Sequence, residues 1–179
     1  MAVDQLQINE RLFLKIPLEQ DAKRISELVN KNRAEFKLYF SWCQQEESLA
    51  AAQAVIKKNH QRLVEGTMYA FAIFYDEQIV GMIDLHEINQ GQKAAKTGYW
   101  LDRDFRGRGI ITESEAALIK FAFSKLRLHR LVLEAQTRNK ASQAVAKRLN
   151  FNLEGIKKES DLIDGEFFDM AVYSKINSL

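Results

Sequence analysis

Apolar residues fall at helical spacing through the first third of the chain and in nearly unbroken runs beyond it. Leu18, Ala22, Ile25, Leu28 and Val29 recur every three or four residues, which predicts a helix over 18–31. A second stripe of Leu49, Gln53, Ile56, His60 and Leu63 predicts another, opened at Glu46 or Ser48 and stopped at Gly66. A short helical stretch is expected around 36–40, while 6–8 and 12–14 alternate loosely as one strand or a hairpin. After Gly66 the character changes. Residues 69–75 are almost entirely aromatic or aliphatic, as in a strand covered on both faces. Asp76-Glu77 turns this run into 78–85, and 94–101 follows as a further strand. Helices over 110–126 and 140–149 flank a strand at 131–133, and strands at 151–162 and 167–174 close the chain. Buried strands alternating with amphipathic helices predict an α/β fold, a mixed central sheet of about seven strands with helices on both faces. Residues 94–136 are the part able to form a parallel βαβ-like unit.

The length fits one domain over 1–179, and 46% hydrophobic against 28% charged residues argues against disorder. Cys43 is the only cysteine, so an internal disulfide framework and a cysteine-based zinc cluster are excluded, and a reducing compartment fits. No His, Asp or Glu spacing suggests metal ligands. No apolar run approaches the ~20 residues of a membrane helix, and Met1-Ala2-Val3-Asp4 is unlike a signal peptide. A cytoplasmic protein without membrane contact is expected. The balance of 26 basic against 24 acidic residues is too even for direct nucleic-acid binding.

The strongest local signal runs from Trp100 to Ile111. A strand ends, a turn carries Gly107 and Gly109, and a helix begins, with Arg106 and Arg108 adding positive charge. The first N–H groups of a helix lack internal partners and lie at the positive end of its dipole. Glycines let that backbone approach an anion, so the turn is a candidate pyrophosphate site. Two nucleotide motifs are excluded. A Walker A loop needs Lys and Ser/Thr after its last glycine, where Ile110-Ile111-Thr112 stands, and Thr112 occupies the third glycine of a Rossmann fingerprint.

Arg106-Gly107-Arg108-Gly109 resembles the acetyl-CoA loop of the GNAT N-acetyltransferase superfamily, Arg/Gln-x-x-Gly-x-Gly/Ala, with Ile111 in place of the final small residue. Gly98-Tyr99-Trp100-Leu101 resembles the strand that pairs with the pantetheine arm. Asn139-Lys140-Ala141-Ser142, Lys147-Arg148-Leu149-Asn150-Phe151 and Glu154-Gly155 resemble the second cofactor segment. With the tail Asp164-Gly165-Glu166-Phe167-Phe168-Asp169, the chain is similar to the branch that acetylates the N-terminal alanine or serine of ribosomal proteins.

The resemblance implies a GNAT-like fold and acetyl transfer from acetyl-CoA, without a metal, to a primary amine. The acceptor would be the N-terminal α-amine of a ribosomal protein, attacking directly in a ternary complex. Backbone N–H groups of Arg106, Gly107, Arg108, Gly109, Ile110 and Ile111 would hold the pyrophosphate. The main chain of Trp100 and Leu101 would bond the pantetheine amides. Asn139 reads as a helix cap and, by resemblance, also as a contact to the pantetheine arm. Many relatives place a tyrosine where this chain has Ala146, which makes Ser142 the candidate proton donor to the departing thiolate. Lys96 stands where relatives often carry a base. By resemblance to the acidic position of the ribosomal-protein branch, Asp161 is the first choice for that role, with Asp84, His86, Glu87 or water as alternatives. A polyamine or antibiotic amine would suit Glu46, Glu47, Asp161, Asp164 and Glu166 equally well, and a non-catalytic acyl-CoA-binding module is the rival from another class. Cys43 reads as an inert buried thiol. A homodimer is expected to pair, if at all, through the last strand, 167–173.

Overall fold

The N-terminal alternation folds back on itself. β1 (Gln5–Gln7) pairs antiparallel with β2 (Leu12–Lys15), Leu6 opposite Leu14, so both halves of the segment are strands. With β3 (Tyr69–Tyr75), β4 (Gln78–Asn89), β5 (Ala94–Leu101), β6 (Arg130–Gln136), β7 (Asn152–Ile163) and β8 (Glu166–Ile176) they form one eight-stranded sheet. The computed structural model describes residues 4–177. The strand order is β1-β2-β3-β4-β5-β6-β8-β7, antiparallel throughout except between β5 and β6. β8 is hydrogen-bonded on both edges, to β6 and β7. The last strand is therefore not an edge that a second copy could extend. β7 is the edge.

Period two along β3 divides the core between the two faces. Phe71 and Ile73 join the cluster of Leu118, Phe121 and Ala122 from α3 (Ile110–Ser124) and Ala146 from α4 (Lys140–Arg148). Ala72 points the other way, to Ile25 and Leu28 of α1 (Ala22–Phe36) and Ile56 of α2 (Leu49–Val64). Helices thus cover both faces. α1 begins later than its apolar spacing predicts. After Pro17, a 3-10 turn over Glu19–Asp21 intervenes, in which the Asp21 carboxylate accepts from Leu18 N–H at 2.8 Å. It also runs beyond Lys31, because Asn32 and Phe36 continue its buried stripe. No separate helix forms over 36–40. Phe36 and Phe40 instead pack edge to face at 5.9 Å, and Phe36 lies 5.4 Å from the Trp100 ring. Their apolar spacing records an aromatic cluster. Ser48 opens α2, its side chain accepting from Ala51 N–H at 3.1 Å.

The point that orients the rest of the molecule lies at the end of β5. Asp102 is fully buried there, with Lys31 Nζ 2.7 Å from Oδ2 and Asn32 Nδ2 donating to Oδ1 at 3.0 Å. Asn32 Oδ1 in turn accepts from Arg103 N–H at 3.0 Å, and Lys31 reaches Asp104 at 2.6 Å. α1 is thereby tied to the start of the loop that leaves the sheet. Burial opposes ionisation of Asp102, but Lys31, Asn32 and the Asp104 N–H outweigh it and hold the carboxyl below its usual range. A carboxylate depressed in the fold stabilises above its unfolded value of about 3.9 and loses that contribution as pH falls through the folded value. Asp102→Asn is expected to lower stability at pH 7 by about 1–3 kcal/mol in urea unfolding. The difference from the parent should shrink below about pH 4.

Candidate active site

β5 and β6 pair in parallel for only four residues, from Ala94 opposite Arg130 to Thr97 opposite Leu133. Beyond that each strand stays with its outer neighbour, β5 with β4 to Leu101 and β6 with β8 to Gln136. A wedge opens between them. Arg130 N–H donates to the Lys93 carbonyl at one end of β5, and Asp102 N–H donates to the Val80 carbonyl at the other. Alternation between those two bonds turns the main-chain groups of Tyr99 and Leu101 into the wedge and those of Trp100 toward β4. The Trp100 carbonyl is so close to β4 that a Cβ on Gly81 would stand 2.3 Å from it. The wedge edge of β5 therefore presents the main-chain groups of Tyr99 and Leu101, whereas those of Trp100, expected to face the coenzyme, are turned to β4.

The wedge continues as a cleft of about 930 Å³, whose lining includes Tyr99, Trp100, Leu101, Gly107, Gly109, Ile110, Ile111, Thr112, Asn139 and Ser142. Gly107 and Gly109 have φ of +75° and +77°, the left-handed region that side chains rarely adopt. Nothing lies within 4 Å of a Cβ on Gly107, so the glycine there answers a backbone demand and not crowding. Gly109 caps α3, and the first helical bond runs from Glu113 N–H to the Gly109 carbonyl. The N–H groups of Ile110, Ile111 and Thr112 therefore have no partner within the helix, and they lie at the cleft. Arg106 lines it too and bonds Glu35 at 2.9 Å. The Arg108 side chain turns elsewhere, donating to the Asp104 carbonyl at 3.1 Å over the Phe105 ring. Arg148, also at the cleft, donates to Thr112 Oγ1 at 3.1 Å.

At the other end of the cleft Asn139 caps α4, its side-chain oxygen accepting from Ser142 N–H at 3.1 Å. Ser142 Oγ lies 2.9 Å from the Tyr99 hydroxyl. Asp161 sits in β7 and does not line the cleft. It accepts from Gln136 Nε2 at 2.5 Å, and Gln136 does line it. Gln136 Oε1 accepts from Arg138, whose guanidinium lies 3.7 Å from the Phe168 ring centroid and also bonds the Leu38 carbonyl. Glu134 lines the cleft on the β6 side, paired with Lys157 and 3.8 Å from Lys96. Asp84 and His86 bond each other at 2.6 Å on β4, and Glu87 pairs with Lys96 at 2.9 Å. Among the described residues no group of three His, Cys, Asp or Glu is placed to hold a metal ion.

Known proteins share this fold. The family model for the acetyltransferase (GNAT) domain matches residues 11–152. The ribosomal-protein-serine acetyltransferase of Escherichia coli (strain K12) is 30% identical over 176 residues, covering 97% of each chain. The solved structure of RimL, a ribosomal L7/L12 α-N-protein acetyltransferase in complex with coenzyme A, superposes with a TM-score of 0.93 at 29% identity over 96% of this chain and 97% of that one. The microcin C7 self-immunity acetyltransferase MccE, in complex with acetyl-CoA and AMP, matches with a TM-score of 0.92 at 26% identity over 97% of each. This chain belongs to the GNAT acetyltransferase family.

In this GNAT domain the structure brings together the glycine loop, β5, Asn139 and Ser142, and leaves Asp161 one side chain removed. Reading the sequence missed Glu134, Gln136 and Arg138, although the run Glu134-Ala135-Gln136 at the end of β6 is polar at the positions that face the wedge. It also missed Glu115. This residue lies on the buried side of α3, where Oε2 accepts from Thr97 Oγ1 at 2.9 Å and Oε1 has no partner among the described residues. Burial pushes its pKa up to about 8, the Thr97 hydroxyl partly offsets this, and Asp84 adds to it. The sign is opposite to that of Asp102. Between the unfolded value of about 4.3 and the folded one, only the unfolded chain sheds this proton, so stability falls as pH rises. Glu115→Gln keeps a hydrogen-bonding group and removes the titration. Its melting temperature should exceed that of the parent by a margin that widens from pH 5 to about pH 8, as read by calorimetric scans across that range.

Proposed function

We propose that this GNAT enzyme transfers the acetyl group of acetyl-CoA to the N-terminal α-amine of a ribosomal protein, by direct attack in a ternary complex. The observation that carries the reading is one continuous cleft with a ready diphosphate seat at one end and a hydroxyl pair at the other. The names of the Escherichia coli relative and of RimL support the choice of acceptor. Residues 1–179 are read as one acetyltransferase domain, since a single sheet runs through the described residues and carries the whole cleft. Such an acceptor would meet the enzyme in the cytoplasm.

The donor set suits the co-substrate. Main-chain N–H groups from Gly107 through Ile111, joined by Thr112, would face a pyrophosphate, with the Arg106 and Arg148 side chains supplying charge nearby. The Arg106 N–H expected among them instead donates to the Arg103 carbonyl at 3.3 Å. The open edge of β5 at Tyr99 and Leu101 offers amide and carbonyl partners to the pantetheine arm, as a further strand would. Asn139 keeps its amide nitrogen for the same arm while its oxygen caps α4. N–H groups fixed before reaction stabilise the negative charge that develops on the thioester oxygen without reorganising. The amine nitrogen forms the new C–N bond, the C–S bond breaks with its electron pair on sulfur, and Ser142 supports the thiolate. The proton lost by the amine passes to a carboxylate on the acceptor side. That group is Asp161, reached through Gln136 or a bridging water, or Glu134, which lines the cleft directly.

Peptides beginning with Ser or Ala, incubated with acetyl-CoA and analysed by mass spectrometry, are expected to gain one acetyl group on the α-amine. Acetylation confined to spermidine or a small amine would shift the acceptor, and coenzyme binding without turnover on any amine would establish a binding module instead. Gly109→Ala should weaken CoA binding about tenfold, the cost of a left-handed alanine, with little change of kcat at saturation. Asp161→Asn and Glu134→Gln, assayed against pH, separate the two bases: the variant that loses the acidic limb of the kcat profile identifies the group that takes the proton.

A further inference from the structure

Ala146 leaves α4 without the side chain from which many relatives draw a phenol, yet a phenol is present on the same face of the sheet. Tyr99 reaches it from β5. Its hydroxyl stands 2.9 Å from Ser142 Oγ, across 43 residues of sequence, and both side chains line the cleft. Ala146 itself is fully buried against the core and offers no polar group. The direction of the Tyr99–Ser142 bond follows from the chemistry of the two groups. A phenol is a stronger acid and a better donor than an aliphatic alcohol, so the Tyr99 hydroxyl donates and Ser142 Oγ accepts. The alternative would have Ser142 donate to the phenol and send the phenolic proton to the Ser142 carbonyl, 3.5 Å away, a poor hydrogen bond.

We infer that Tyr99 is a positioning residue for acetyl transfer, its hydroxyl fixing Ser142 so that the serine's own proton points into the cleft at the departing sulfur. The inference rests on the proposed acetyl transfer and deepens it. Once Oγ accepts from Tyr99, the serine hydrogen is directed away from the phenol and toward the space between β5 and α4. As the C–S bond breaks, that hydrogen bonds to the sulfur bearing the electron pair. Neither Tyr99 nor Ser142 gives up its proton: CoA leaves as the hydrogen-bonded thiolate and takes its proton from solvent, while the proton released by the amine passes from the carboxylate to solvent. Burial pushes the Tyr99 hydroxyl well above its ordinary value, with the Ser142 bond opposing and Glu115 adding, which keeps it a donor through neutral pH. β5 therefore contributes twice at this point: its edge at Tyr99 faces the pantetheine arm, and the Tyr99 side chain sets the hydroxyl that meets the sulfur.

The test is a double-mutant cycle on kcat. Tyr99→Phe deletes one oxygen and should lower kcat about tenfold while the KM for acetyl-CoA stays within about twofold. Ser142→Ala should lower kcat by at least as much, and the doubly substituted enzyme should be no slower than Ser142→Ala alone, because Tyr99 acts only through the serine. Ser142→Thr keeps a hydroxyl and should restore the sensitivity to Tyr99→Phe. Unchanged kcat in Tyr99→Phe overturns the inference, as does a double variant whose losses multiply. A parent protein that acetylates no amine sinks the proposed function instead, so the two failures are distinguishable. Matching melting temperatures for parent and variants confirm that folding is not the cause.

Discussion

Four residues of parallel pairing, followed by a separation, are the constraint on which the rest depends. A sheet normally satisfies both edges of every interior strand, and a buried unpaired N–H or carbonyl is costly. Here β5 and β6 lie in the middle of eight strands and still part company after Thr97 and Leu133, each held by its outer neighbour. The free edge at Tyr99 and Leu101 has partners waiting in neither strand. In the proposed reading that edge receives a molecule able to act as a short strand. The pantetheine arm, with two amides along an extended chain, has that form.

The separation is useful only if the loop beyond it is held in register. Asp102 performs that task from a fully buried position, joining Lys31 and Asn32 of α1 to the exit of β5. A charged network at that point fixes direction as well as distance, because the carboxylate accepts on both oxygens and Asn32 reaches on to Arg103. The chain then enters the two left-handed glycines, which line the cleft. Arg106, whose side chain pairs with Glu35, adds a second tie from the loop to α1. α1 thus sets the geometry of the glycine-loop end of the cleft.

Much of this was legible in the residues. The bounds of β5 matched expectation, and so did the unbroken apolar run of β3, since side-chain burial on both faces leaves a direct mark on sequence. Gly109 as the left-handed start of α3 and Asn139 as the cap of α4 are local demands, met by residues within a few positions. Contacts between distant elements were not legible. Nothing near Tyr99 announces Ser142, and nothing near Asp161 announces Gln136, because each pairing is created by strand order. The place of β8 inside the sheet is of the same kind, since the return of β7 to the outer edge leaves no trace in either strand's composition. Glu115 was missed for a different reason. A charged residue in an amphipathic helix is normally on the water side, and only the packing of α3 on β5 reveals this one beneath Thr97.

Amide hydrogen exchange resolved by NMR, with and without CoA, tests the central claim most directly. The account predicts that CoA slows exchange at Tyr99 and Leu101 and at the amides from Gly107 to Thr112, while Trp100, already bonded to β4, is unchanged. CoA that binds while leaving those wedge and loop amides as fast as in the free protein would contradict it.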